Sequence, residues 1–310
     1  MKSNPPDPGR PEGLRDDGEL PTELAAAIDR ARPRLGRLAS TLVFFDTIGS
    51  TNDEAARQST VASRQFSVGS RQLSEAPAQP WALSPQPFSS PEGLVVVADE
   101  QTSGRGRRGH TWFSPPGSGL YVSVVLAPAT AIDPARAFSL LTLTAGVALA
   151  EGIEQAAGLR VDLKWPNDLL VSRRKIGGIL AESSSGGDRI DSVVVGYGIN
   201  VRSTSFPPAL RSQATSLETE LGRAVDRHHV LAETLAALAR RYEDLLAGRF
   251  DAILDAWRRL APRASGARVA WTTNEGTASG TTAGIDDRGA LLVQIDDRVE
   301  RIVSGEVLWL

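Results

Sequence analysis

Gly104-Arg105-Gly106-Arg107-Arg108-Gly109 is the stretch whose reading decides the fold. It formally satisfies G-x-G-x-x-G, the dinucleotide-binding turn, which needs a strand running straight into the first glycine and a helix opening after the last. Neither flank complies. The five residues Asp99–Ser103 separate it from the apolar run Leu94-Val95-Val96-Val97-Ala98. His110-Thr111-Trp112-Phe113-Ser114-Pro115-Pro116 follows it, and paired prolines do not start such a helix. No lysine follows a glycine, which removes a P-loop as well. What remains is a loop of alternating glycine and arginine. Glycines let consecutive backbone N–H groups converge on an anion, and arginines offer paired donors to carboxylate or phosphate. An RGG-like nucleic-acid segment would repeat in low-complexity sequence, whereas this one occurs once between two expected core strands. By itself the hexapeptide also reads as a solvated loop.

Working outward, Leu120–Leu126 alternates as a strand, and Ala135–Ala157 carries apolar residues at helical spacing. Leu163-Lys164-Trp165 and Leu169-Leu170-Val171 read as short strands tipped by Pro166-Asn167-Asp168 and Ser172-Arg173-Arg174-Lys175. Ile179–Ser183 and Ser192–Gly198 pair as a hairpin around Gly186-Gly187. Helices fill Arg227 to Leu260, with His228 and His229 expected at the surface. After Pro262, short strands with turns at Asn274-Glu275-Gly276, Asp286–Gly289 and Asp296-Asp297 read as a small β-barrel. Upstream, Thr41–Phe45 reads as a strand and Ser50-Thr51-Asn52-Asp53 caps a helix through Arg57. Residues 59–91, rich in Ser, Gln and Pro, are expected to be a flexible insertion that Trp81 and Phe88 could dock. The first twenty residues read as a disordered tail, followed by a short helix with Leu24, Ile28 and Ala31 on one face and Pro33 interrupting it. The expected domains are 1–38, a tail with a short helix, then 39–260 and 261–310.

At 310 residues, with 41% apolar and 23% charged, the chain can bury a core, and at ~100–200 residues per domain it holds two. No uninterrupted apolar run approaches the ~20 residues of a membrane helix, and the N-terminus has no apolar signal region. Cysteine is absent, which excludes disulfides, thiolate metal sites and cysteine nucleophiles and fits a cytoplasmic protein. A net charge of −3 offers no basic field for nucleic acid. Lysine occurs only at Lys2, Lys164 and Lys175 among 34 basic residues. In an arginine-dominated chain, two internal lysines eleven positions apart are candidates for sites that need a compact ammonium; on composition alone, chance survival is the competing reading.

Lys164-Trp165-Pro166-Asn167-Asp168 puts a cation, an amide and a carboxylate within one turn. Asp168 could hold Mg²⁺ with retained waters, and Lys164 could face phosphate oxygens; the tripeptide is also ordinary turn chemistry. In Val193-Val194-Val195-Gly196-Tyr197-Gly198-Ile199-Asn200, alternate glycines leave one strand face bare for a flat ring or another backbone. Asn200 offers both a donor and an acceptor to a purine edge.

Together, Ser50-Thr51-Asn52, Gln101 with the Gly104–Gly109 loop, Lys164–Asp168, Arg174-Lys175-Ile176-Gly177-Gly178-Ile179-Leu180 and Gly198-Ile199-Asn200 resemble the biotin protein ligases in order and spacing. The resemblance runs from Thr41 to Leu310. It implies an α+β fold: a mixed-sheet catalytic domain of the biotin/lipoate ligase type with a small C-terminal SH3-like barrel. It further implies an ATP-dependent, AMP-forming ligase that makes biotinyl-5′-adenylate and passes biotin to a lysine of a biotin carboxyl carrier domain. By the same resemblance Lys175 is the principal catalytic residue, with Arg107 and Lys164. Ser50, Thr51, Asn52, Gln101, Arg105, Gly106, Arg107 and Lys175 would bind biotin. Arg105, Arg108, Trp112, Lys164, Asn167, Asp168 and Asn200 would bind ATP, with Asp168 on Mg²⁺. His110 stands where some relatives have arginine. Only about forty residues precede the first catalytic strand, so no direct DNA-binding role is expected. No membrane association is expected either, and the assembly expected is a monomer or homodimer. The competing readings are a lipoate or octanoate transferase and a non-catalytic regulator that binds biotinyl-adenylate.

Overall fold

The computed structural model describes residues 20–69, 91–185, 190–202, 206–273 and 276–310. Its larger sheet comprises β1 (Thr41–Ile48), β2 (Leu94–Gln101), β3 (Gly119–Leu126), β4 (Asp162–Lys164), β5 (Asp168–Val171), β6 (Arg174–Ser185) and β7 (Ile190–Asn200). The spatial order is β1-β2-β3-β7-β6-β5-β4. β1 and β2 run parallel and the other neighbours antiparallel, so the sheet is mixed. The parallel pair requires a crossover, which begins with α2 (Thr51–Gly69).

Strand periodicity divides the sheet into two faces. On β7, Val193, Val195, Tyr197 and Ile199 enter the main core, while Val194 enters a smaller cluster with Phe45, Ala55 and Val96. α3 (Pro134–Ala157) and α5 (Arg227–Leu246) cover the main face, and α2 covers part of the other. α3 starts at Asp133, whose side chain accepts the Arg136 N–H, and stops at Gly158 with φ 71°. By length and composition it could cross a membrane, yet 72% of its apolar window is buried, as befits a core helix.

The smaller sheet is antiparallel: β8 (Ser265–Thr273), β9 (Gly276–Ile285), β10 (Leu291–Ile295), β11 (Arg298–Ile302) and β12 (Val307–Trp309), in the order β11-β10-β9-β8-β12. It follows α6 (Phe250–Leu260). The Asp286–Gly289 turn docks it onto the larger unit: Trp165 Nε1 donates to Gly289 O (2.9 Å) and Arg136 Nε to Asp287 O (2.9 Å).

Two expectations change. The helix expected to stop at Arg57 runs to Gly69, so residues 59–69 are helical rather than part of a flexible insertion. No proline interrupts that run before Pro77, and the buried Ser59 hydroxyl shares a 3.0 Å hydrogen bond with Ser192 on β7. The face read from the sequence of the leading helix, α1 (Thr22–Ala31), is the buried one: Leu24, Ile28 and Ala31 enter the main core, as do Leu35 and Leu38 just after it. Of the two histidines expected at the surface, His229 is exposed, whereas the His228 side chain is partly buried, only 14% exposed beside Glu23 and Asp226. Burial pushes its pKa below the ordinary value. The tail 1–19, residues 70–90 with Trp81 and Phe88, and the turn positions 186–189 and 274–275 lie outside the described residues.

Where α3 crosses α5, a Cβ on Gly152 would lie 2.5 Å from Thr234 Cα and 2.8 Å from its backbone nitrogen. Gly152→Ala is therefore expected to destabilise the protein by about 1–3 kcal/mol, even though alanine improves helix propensity by about 1 kcal/mol. Equilibrium denaturation measures it; a stabilised variant would contradict this packing.

Candidate active site

The site begins with the bare face of β7. A Cβ on Gly196 would stand 2.0 Å from Asn52 Oδ1, and one on Gly198 would stand 2.3 Å from Trp112 Nε1. The missing side chains are thus replaced by the first turn of α2 and by an indole from the β2–β3 connection. Asn52 Oδ1 accepts from Ser123 Oγ at 2.6 Å, which itself lies 2.8 Å from Thr51 Oγ1. The Thr51 N–H and hydroxyl donate to Gln101 Oε1 (2.9 and 3.1 Å), and Gln101 Nε2 donates to Ser114 Oγ (3.0 Å). Each amide is held in one orientation, lining a neutral polar pocket of fixed donors and acceptors.

The Gly-Arg loop closes on itself without a following α-helix. Gly106 N–H donates to His110 O (2.7 Å) and Trp112 N–H to Gly104 O (2.9 Å). Arg108 adopts a left-handed φ of 56° in the short turn that glycines flank. A Cβ on Gly104 would approach Trp112 O to 2.6 Å, so that position requires glycine. Arg107 Nη1 donates to Asn167 Oδ1 (3.3 Å) and to Gly305 O (3.4 Å) of the smaller sheet's β11–β12 turn. Burial pushes its guanidinium pKa down, against the pull of Asp168. Arg105 turns elsewhere: Nη1 and Nη2 donate to the two Glu182 oxygens (3.1 and 2.8 Å), and Nη2 lies 2.6 Å from Asp53 Oδ1. His110 is exposed, 3.9 Å from Glu306.

The lysine strands supply the charge. Lys164 and Asp168 face each other across the β4–β5 hairpin, and a register shift between Leu169 and Leu170 sets Leu170 opposite Lys175. Lys175 Nζ reaches Asp168 Oδ1 at 2.5 Å and sits 5.5 Å from the Trp112 ring centre. Lys164 Nζ lies 5.5 Å above the Trp309 ring, and burial lowers its pKa against the carboxylates of Asp168 and Glu306. Asn167 Nδ2 donates to Ile179 O (2.8 Å), fixing the turn. Asn200 Nδ2 donates to Thr215 O (3.0 Å), which leaves its Oδ1 for a ligand.

All of the residues put forward from the sequence, from Ser50 to Asn200, line one cavity of about 540 Å³. Arg107, Lys164 and Lys175 converge there on the Asp168 carboxylate, so the interior favours an anion. Sequence reasoning missed two walls. One is the segment after residue 205: Lys175 N–H donates to Gln213 O (2.6 Å), Thr215 N–H donates to Lys175 O (2.9 Å), and Phe206 lies 6.4 Å from Phe113. Its proline-rich sequence has no periodicity to reveal it. The other is the smaller sheet, through Gly305, Glu306 and Trp309. Gly198→Ala is expected to expel the Trp112 indole from its seat, costing about 1–3 kcal/mol and shifting tryptophan emission to the red. An unchanged spectrum would show that the indole does not need the bare strand.

Comparison with known proteins agrees with this arrangement. Residues 83–200 match the Biotin/lipoate A/B protein ligase family, and residues 264–309 match the Biotin protein ligase C terminal domain. The chain is 39% identical over 221 residues to the bifunctional ligase/repressor BirA of Bacillus subtilis, covering 71% of this chain and 67% of that one. It is 36% identical over 219 residues to the biotin–[acetyl-CoA-carboxylase] ligase of Paracoccus denitrificans, covering 69% of this chain and 89% of that one. The biotin protein ligase of Aquifex aeolicus, solved with biotin and ATP, superposes with a TM-score of 0.67 at 26% identity, covering 87% and 99% of the two chains. With both family models matched and these relatives covered over two thirds or more of their length, the chain belongs to the biotin protein ligase family.

Proposed function

We propose that this protein is an ATP-dependent biotin ligase: it joins biotin to AMP, releases pyrophosphate, and passes the biotinyl group to a lysine of a biotin carboxyl carrier domain. The observation that carries the reading is the convergence of Arg107, Lys164 and Lys175 on Asp168 inside a cavity that also holds a neutral polar pocket. Attack of a carboxylate oxygen on the α-phosphorus brings two anions together, forming a P–O bond as the bond to pyrophosphate breaks. Cations fixed in a partly dry cavity offset that repulsion.

Lys175 is assigned to the biotin carboxylate and the reacting phosphorus. Lys164 and Arg107 serve the phosphates, with Arg108 and Asn167 beside them. Ser50, Thr51, Asn52 and Gln101 suit the uncharged ureido ring, which needs matched donors and acceptors, and Gly106 lets the loop backbone approach. Trp112 and Asn200 Oδ1 serve the adenine. Among the described residues no group of three or more His, Cys, Asp or Glu is poised for a metal. Asp168 alone fits Mg²⁺, in the manner of sites where substrate phosphates and waters supply most of the oxygens. When bound there, the ion would neutralise developing phosphate charge.

The relatives named as acetyl-CoA-carboxylase ligases support a carboxyl carrier as the acceptor. A net charge of −3 supports a partner other than nucleic acid, and the use of ATP supports the cytoplasm as the compartment. A monomer or homodimer remains the assembly proposed. A lipoate or octanoate ligase is the second reading, favoured by the breadth of the family matched at residues 83–200. The C-terminal match argues for biotin.

Biotin-dependent ATP–pyrophosphate exchange tests the reading, with lipoate and octanoate in parallel. Exchange with biotin alone is expected, and exchange with lipoate alone would transfer the assignment. Lys175→Ala is expected to lower exchange at least about 100-fold, and Lys175→Arg nearly as far, because a planar fork does not reproduce a point charge beside Asp168. Near-normal exchange in either variant would remove Lys175 from the chemistry.

A further inference from the structure

Arg105 and Arg107 lie two residues apart in the same loop, yet the groups they touch directly differ: neutral acceptors for Arg107, carboxylates for Arg105. Arg107 gives its hydrogen bonds to neutral acceptors, Asn167 Oδ1 and Gly305 O, and shares the Asp168 carboxylate with Lys164 and Lys175, so charge remains for an anion. Arg105 meets two carboxylates, a paired contact to Glu182 and a 2.6 Å contact to Asp53. Two negative charges around one guanidinium repel a phosphate rather than attract it. Glu182 does more than neutralise. Its Oε2 also accepts from Asn52 Nδ2 at 2.7 Å, and Asn52 is bonded through Ser123 to Thr51, which holds Gln101. A continuous chain of hydrogen bonds therefore joins the polar pocket to the Gly-Arg loop, with Glu182 as the link between them.

We propose that Glu182 is a positioning residue that, with Asp53, latches the Gly-Arg loop over the cavity through Arg105. The geometry suits a reversible device. The Arg105–Glu182 contact is paired and charge-assisted, which fixes direction, while the side chains stay 41% and 37% exposed, which keeps the contact weak enough to open. The Asn52 amide, fixed by Ser123 at one end, holds Glu182 against Arg105 at the other. The latch retains a hydrolysable adenylate until the acceptor lysine arrives. Its part in retaining the adenylate rests on the ligase reading above. The loop latch itself does not.

The test uses the full chain. Glu182→Gln keeps the shape and an acceptor for Asn52 but removes the charge on Arg105. Trypsin cleaves after arginine, so cutting at Arg105–Arg108 reports an open loop. Without ligand, Glu182→Gln is expected to be cut there at least fivefold faster than wild type at an unchanged melting temperature, and Glu182→Asp, which keeps the charge, to restore resistance. With biotin and ATP supplied, it is expected to raise biotin labelling of serum albumin, a bystander protein, at least threefold, as adenylate escapes. Arg105→Ala combined with Glu182→Gln is expected to be cut no faster than Arg105→Ala alone, because both remove the same contact. Cutting of Glu182→Gln at the wild-type rate, or additive effects in the double variant, would overturn the latch. Absence of biotin-dependent exchange in the wild type would instead overturn the ligase reading, with the proteolysis still judging the latch.

Discussion

The alternation of side chains along β7 is the constraint from which the site follows. Because successive residues point to opposite faces, Val195, Tyr197 and Ile199 can fill the core only if Gly196 and Gly198 lie on the other side. Their missing side chains admit Asn52 and Trp112, and these two bring the α2 start and the Gly-Arg loop onto the sheet. Shifting the register of β7 by one residue would exchange the faces, burying glycine in the core and closing the cavity with valine. The packing of the core and the shape of the pocket are thus a single choice.

Charge is distributed with the same economy. The three cations at Asp168 come from separate segments: a loop for Arg107, a hairpin edge for Lys164 and a strand start for Lys175. Holding like charges together costs free energy that the fold must offset, and here a shared carboxylate, two indole rings and fixed neutral acceptors do so. Arg105, supplied with two carboxylates of its own, is kept out of that cluster.

Much of this was legible in the residues, and the reason is physical. Glycine at alternate strand positions, a Gly-Arg loop that no helix follows and two lysines in an arginine-dominated chain are local signals, and they locate the bare face, the loop and the charge. What escaped depends on distance. Glu182 reads as an ordinary strand carboxylate until the fold brings it to Arg105, 77 positions earlier in the chain. The segment around Gln213 has no periodicity, because its role is to bond the Lys175 backbone rather than to pack. Trp309 looks like a barrel residue and becomes part of the cavity only through the docking of the second sheet. α2 ran past its expected end because Ser and Gln tracts tolerate helix wherever a buried contact, such as Ser59 with Ser192, anchors them.

The contribution of Trp309 and Gly305 also sets a timetable. A ribosome adds about 5–20 residues each second, so Trp309 follows Lys175, the last of the three cations, by roughly 7–27 s. Through that interval the nascent chain carries its cluster of arginine and lysine with neither the indole face above Lys164 nor the carbonyl that Arg107 engages. The wall supplied by the smaller sheet is the last to be made, and the complete pocket arises only once that sheet has docked.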